Sequence, residues 1–116
     1  MAAPVKTRPA DFLPLSTANF HILLALADGE RHGYAIMQEV AEATARAVRL
    51  GPGTLYRCLQ ALLEESFIEE SARQSDDPRR RYYRLTSLGR RVLSAEVRRL
   101  EDVVALARRR KLGYSG

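Results

Sequence analysis

The hydrophobic residues of this chain change their period twice, and that change constrains the fold more than any single motif. As far as Leu63 they recur at the three- and four-residue spacing of helix faces, over 67–73 and 80–85 they fall in short β-rich runs, and after Thr86 the helical spacing returns. A helix-period pattern does not sit in a strand, so the order is several helices, a hairpin, and a last helix. With 116 residues there is room for one core and not for two independent ones.

The elements follow from local chemistry. Pro4, Pro9 and Pro14 break up the first fourteen residues, and 1–14 is expected to be a flexible N-terminal arm. Ser16 or Thr17 caps a first helix carrying Phe20, Leu23, Leu24 and Ala27 on one stripe, and Asp28-Gly29 ends it. A second helix is expected over 32–45, with Ile36, Val40 and Ala43 on its apolar face and Met37 and Ala41 beside them. Gly51-Pro52-Gly53-Thr54 opens a third, along which Leu55, Leu59, Leu62 and Leu63 repeat. Short helices joined by so brief a connection predict a helix-turn-helix unit.

Residues 67–73 and 80–85 then read as two strands around the turn Gln74-Ser75-Asp76-Asp77-Pro78, a hairpin or wing. Thr86 caps a long last helix whose Leu93, Val97, Leu100, Val104 and Ala107 alternate spacings of four and three, the seam of a helix-helix contact. The expected fold is mostly α with a small β-hairpin wing. Residues 15–86 are expected to hold the helix-turn-helix and its wing, and 87–112 the last helix.

Charge distribution supplies the partner. The formal net charge is +5, and residues 46–116 hold sixteen Lys or Arg against nine Asp or Glu, fifteen of the sixteen being Arg. The planar Arg fork suits phosphates and guanine edges, so a polyanion is the natural ligand, although a solvated helix face accounts for some of these residues. A lone Cys58 agrees with a reducing, cytoplasmic setting and excludes an intrachain disulfide. The longest apolar run, 22–27, is far below the roughly 20 residues a membrane span needs, and no secretory leader is expected.

Four segments arrive in register: His32-Gly33-Tyr34, Gly53-Thr54-Leu55-Tyr56, Leu62-Leu63-Glu64-Glu65, and Arg81-Tyr82-Tyr83-Arg84-Leu85-Thr86-Ser87-Leu88-Gly89. In order and spacing they resemble the PadR-like transcriptional regulators, over roughly 15–107. The resemblance implies a winged helix-turn-helix DNA-binding domain over 15–86, a C-terminal dimerisation helix over 87–112, homodimers on palindromic, inverted-repeat operators in double-stranded DNA and, usually, repression relieved by a small-molecule effector. Two positions depart from the family pattern: Arg57 stands where proline commonly follows the tyrosine, and Ser66 where glycine usually closes the third helix.

The candidate DNA-binding residues are Tyr34, Pro52, Gly53, Thr54, Tyr56, Arg57, Arg79 and Arg80. The N-terminal residues of a recognition helix approach base edges in the major groove. There Gly51 and Gly53 allow close backbone approach, while Thr54, Tyr56 and Arg57 supply donors. Alternatively the glycines only make the turn, and Tyr56 packs in the core. Arg79 and Arg80 follow the wing turn, where a minor groove would attract arginine, unless Asp76 and Asp77 neutralise them. For Tyr34 the resemblance favours a phosphate contact and helical spacing alone favours the core.

Cys58 reads as a small buried apolar group rather than a redox sensor, and Arg108 to Lys111 as cations complementing a helix C-terminus. His21 and His32 have no ligand cluster at metal spacing and no catalytic constellation assembles, so neither a metal, a cofactor nor enzyme activity is expected. With no Trp, and only Tyr114 after the wing strand, a stacking pocket for an effector is not supported by the last helix. The rival readings are a winged-helix protein-interaction module without DNA binding, and a stand-alone small-molecule binder.

Overall fold

The computed structural model of the chain describes residues 6–72 and 80–113. The elements are α1 (Thr17–Ala25), β1 (Arg31–His32), α2 (Gly33–Ala43), α3 (Pro52–Glu64), β2 (Ile68–Glu70), β3 (Tyr82–Leu85) and α4 (Ser87–Arg109), after a single 3-10 turn at Pro9–Phe12. Three helices begin on side-chain caps: Ser16 accepts from the Asn19 N–H, His32 Nδ1 from the Ala35 N–H, and Thr86 from the Gly89 N–H. α3 begins differently, with Gly51 at its cap position, no side-chain cap, and Pro52 at its first turn.

β3 lies at the centre of an antiparallel sheet of order β1-β3-β2. Its register sets Arg31 against Tyr83 and His32 against Tyr82 on one side, and Ile68, Glu69 and Glu70 against Leu85, Arg84 and Tyr83 on the other. β1 is a two-residue strand that the sequence does not announce, since so short a piece has no alternation to read. The core gathers Ile22, Leu23 and Leu26, Ile36 and Val40, Leu55, Leu59 and Leu62, Phe67, Ile68, Val92 and Leu93. The expected stripe on α1 is rotated: Ile22 and Ala25 are buried while Leu24 is 43% exposed. α1 is apolar nearly all round and packs on α2, α3 and α4 at once, so spacing alone does not select its inner face.

Expectations for the two ends need correction. The segment taken as a flexible arm carries the Pro9–Phe12 turn, and Phe12 meets Phe67 edge-on at 4.9 Å. Phe12, Leu13 and Leu15 pack on the core, because the prolines bar a long helix without removing the drive to bury these side chains. Leu93, assigned to the dimer seam, is 6% exposed and belongs to the protomer's own core, since α4 lies against α1 and the Pro9–Phe12 turn.

One junction fixes α4 against the sheet. Ser66 adopts a left-handed conformation, φ 63, and the Ser66 and Phe67 N–H groups bond to the Leu63 and Leu62 carbonyls, closing α3 as glycine would. The Thr86 hydroxyl donates to the Ser66 carbonyl at 2.6 Å while capping α4. A Cβ at Gly89 would stand 1.9 Å from the Phe67 carbonyl oxygen, so only glycine lets the two backbones approach this closely. Hence the Thr86-Ser87-Leu88-Gly89 segment is the joint between wing and last helix.

Candidate nucleic-acid interface

The turn between α2 and α3 is tightly specified. Thr44 Oγ1 donates to the Val40 carbonyl at 2.8 Å and accepts the Val48 N–H at 3.1 Å. Ala45 and Arg46 are both left-handed, φ 49 and 68, a conformation costing about 1 kcal/mol or more per non-glycine residue. Val48 and Leu50 pack on the core, which leaves Arg46 and Arg49 exposed immediately before α3. Sequence reasoning missed these two arginines; their signal is the alternation of Arg46 and Arg49 with the apolar Val48 and Leu50.

At the start of α3, Gly51, Pro52, Gly53, Tyr56 and Arg57 are exposed and Thr54 is half-buried. Gly51 has φ −73, open to any residue, and a Cβ at Gly51 or Gly53 would meet nothing within 4 Å. The turn therefore does not require these glycines. No acidic residue lies in the first turn, and Arg57 donates to the Thr54 hydroxyl at 3.4 Å. The positive end of the helix is thus uncapped, uncovered and flanked by guanidinium groups.

A groove of about 370 Å³ opens beside it, between the start of α2, α3 and the strands of the wing. It brings together Tyr34, Tyr56 and Arg80 of the expected residues, but not Pro52, Gly53, Thr54 or Arg57, which lie at the tip of α3. Tyr34 and Tyr56 are 58% and 55% exposed, which rules out a core role for either ring. Gly33 makes room for Tyr56, whose hydroxyl lies 3.1 Å from the site of a would-be Cβ. Tyr83 forms the buried wall, its phenol pushed up in pKa by burial and then by the Glu70 charge. Arg81 pairs with Glu70 at 3.0 Å and Arg84 with Glu69 at 2.8 Å, so these wing arginines hold strands together. Arg80 is exposed; Arg79 lies outside the described residues.

Cys58 is half-buried, and burial raises its thiol pKa against the opposing charge of Arg57, as suits an apolar packing role. Along α4, Val97, Leu100 and Ala107 are half-buried and Val104 is 46% exposed. Val97, Leu100 and Val104 line an apolar groove of about 660 Å³ together with Phe20. Val103 and Leu106, 49% and 46% exposed, extend this apolar surface and were not in the expected seam. Among the described residues no three His, Cys, Asp or Glu side chains are grouped to hold a metal ion, and no helix is long and apolar enough to cross a membrane.

Residues 22–95 match the Transcriptional regulator PadR-like family. A transcriptional regulator of Mycobacterium tuberculosis is 35% identical over 88 residues, covering 76% of this chain and 79% of that one. An uncharacterised protein of Lysinibacillus sphaericus is 36% identical over 83 residues, covering 71% and 76%. Among solved structures, a PadR family transcription regulator of Clostridium difficile superposes with a TM-score of 0.71 at 27% identity, covering 84% of this chain and 100% of that one. PadR of Bacillus subtilis, solved in complex with operator DNA, superposes with a TM-score of 0.63 at 26% identity, covering 72% and 48%. With four helices and a small antiparallel sheet arranged as in these winged-helix proteins, the chain belongs to the PadR-like family of transcriptional regulators.

Proposed function

We propose that this regulator binds double-stranded DNA as a homodimer, setting the first turn of α3 into the major groove of each half of an inverted-repeat operator, where it acts as a repressor. The observation that carries this reading is Gly53 in the exposed first turn of α3, directly after a cap position, Gly51, that supplies no side chain. A glycine inside a helix costs up to about 1 kcal/mol relative to alanine, and no neighbour of Gly53 would exclude a methyl group. Such a cost at an exposed, uncapped helix start makes sense where a phosphate backbone or a base edge comes into contact. The operator complex of the Bacillus subtilis relative supports the same ligand class.

Within this reading Thr54 and Arg57 face bases, and the N–H groups of the first turn, Tyr34 and Tyr56 bond phosphates. Arg46 and Arg49 meet the backbone ahead of α3, and Arg79 and Arg80 reach the flanking minor groove. The dimer forms through α4 by Val97, Leu100, Val103, Val104 and Ala107, with Leu93 serving the protomer. Release by a small-molecule effector is a further step that the family likeness suggests, and the groove beside Phe20 is its candidate place.

The test is fluorescence anisotropy with a duplex carrying an inverted repeat from beside the gene and a scrambled duplex of equal length. Selective binding that Arg57→Ala weakens is expected. Equal, weak association with both duplexes would sink the reading and favour a winged-helix module that docks on protein instead.

A further inference from the structure

The last fully buried residue on α4 is a carboxylate, Glu96, 2% exposed. It sits where the helix leaves the head: Val92 and Leu93 before it are core residues, Val97 and Leu100 after it are half-buried, and beyond them only Ala107 is not exposed. Its Oε2 accepts the Leu15 N–H at 2.8 Å and its Oε1 accepts from Arg99 Nε. Leu15 joins the docked N-terminal segment to Ser16, the cap of α1, so one side chain ties α4 to the far end of the chain. Both Leu15 and Glu96 fall outside residues 22–95, the part matching the family.

A buried carboxylate is a costly way to fill space, and an apolar side chain of similar volume would commonly be as stable. What it adds is direction, because apolar contacts allow sliding whereas a carboxylate oriented by Arg99 of its own helix and accepting the Leu15 N–H of the docked segment has one good geometry between the two. We propose that Glu96 is a positioning residue that fixes the angle between α4 and the DNA-binding head, and thereby the spacing of half-sites that a dimer can span.

The leverage is large. From Glu96 to Arg109 the helix runs about 20 Å, so a tilt of about 10° at Glu96 displaces its end by about 3.5 Å. That is about one base-pair step for each protomer. Across a two-fold axis the two tilts combine, and a loosened joint would blur half-site spacing by about two base pairs.

The inference about spacing rests on the proposed DNA binding, whereas the joint itself is testable without DNA. In a Cys58→Ala background, nitroxide labels at Gln38→Cys on α2 and Asp102→Cys on α4, diluted with unlabelled protein, report the angle within one protomer as a distance distribution. Glu96 as found should give one narrow peak. Glu96→Gln, which still accepts from Leu15, should stay close to it, and Glu96→Leu should broaden or displace it. On inverted repeats whose half-sites are moved together or apart by one and two base pairs, the native chain should lose about tenfold or more in affinity, and Glu96→Leu only about threefold. If Glu96→Leu fails to fold, Glu96→Met, unbranched and of similar length, removes the acceptor for the Leu15 N–H and should broaden the peak in the same sense. A folded Glu96→Leu, or failing that Glu96→Met, with the native peak and the native spacing preference would overturn the proposal. If the native chain binds no operator, the DNA reading fails while the distance measurement still decides the joint.

Discussion

Gly89→Ala and Gly53→Ala place the same methyl group in the first turns of two helices and should move stability in opposite directions. At Gly89 the new carbon would lie 1.9 Å from the Phe67 carbonyl oxygen and 2.8 Å from its carbon, both backbone atoms, so α4 must retreat by about 1.5 Å to reach ordinary contact. That retreat breaks the bonds from the Thr86 hydroxyl to Ser66 and from the Thr86 N–H to Phe67, each contributing about 1 kcal/mol. Strained packing of Val92 and Leu93 in the core costs about 1–2 kcal/mol more. Better helix propensity returns about 1 kcal/mol, leaving a net loss of about 2–3 kcal/mol. For a domain of this size the melting temperature should fall by roughly 10–20 °C. Gly53→Ala meets open space, so propensity alone acts, and the melting temperature should rise by about 4–8 °C while operator affinity falls about tenfold. The assay is thermal melting by circular dichroism at one protomer concentration, because the Tm of a dimer depends on concentration. A Gly89→Ala protein that melts like the native one, or a Gly53→Ala protein that is destabilised, would refute the reasoning.

Arg57→Ala should cost about 1–3 kcal/mol on operator and relax the preference at one position per half-site, whereas Arg80→Ala should weaken operator and random duplex alike. Equal profiles for the two variants in competition anisotropy would contradict that division. Val103→Glu with Val104→Glu charges the exposed part of α4 without entering the head, so sedimentation should show a folded monomer whose operator affinity has dropped by about a hundredfold; a variant that stays dimeric would move the interface elsewhere. The Glu96 carboxyl is held below its usual pKa, first by the bond from Arg99 and also by the Leu15 N–H, against the opposing effect of burial. A depressed folded-state pKa stabilises the fold above the ordinary carboxylate range and loses that contribution as pH falls through the folded value, so Glu96→Gln should flatten part of the acid unfolding curve. An unchanged acid limb in Glu96→Gln would count against the buried ion pair.

Elements with a strong local signal were legible in the sequence. Gly51-Pro52 marked the start of α3, Ser16 and Thr86 marked caps, and the change of period located the wing strands to within two or three residues. What stayed hidden depends on contacts between distant parts of the chain. Arg31 and His32 become a strand only because Tyr82 and Tyr83 pair with them, and Leu93 reads as seam until the packing of α4 on α1 and the N-terminal turn is seen to bury it. The role of Gly89 is invisible without the Phe67 backbone, although the motif containing it stood out. At the candidate interface, residue types identified α3, but exposure was needed to separate Tyr34 and Tyr56 from the core, and loop packing to turn Arg46 and Arg49 outward.

The most direct test of DNA binding through this surface is the salt dependence of operator affinity. With Arg46, Arg49, Arg57 and Arg80 exposed around α3 and the wing, and Arg81 and Arg84 engaged by Glu70 and Glu69, each protomer should neutralise about four phosphates. A dimer should then show log affinity falling against log salt with a slope near −7, and Arg46→Ala with Arg49→Ala should reduce that slope by about 3 to 4. Tight operator binding with a slope near zero, or a slope that ignores the loss of these arginines, would contradict the placement of DNA on this face.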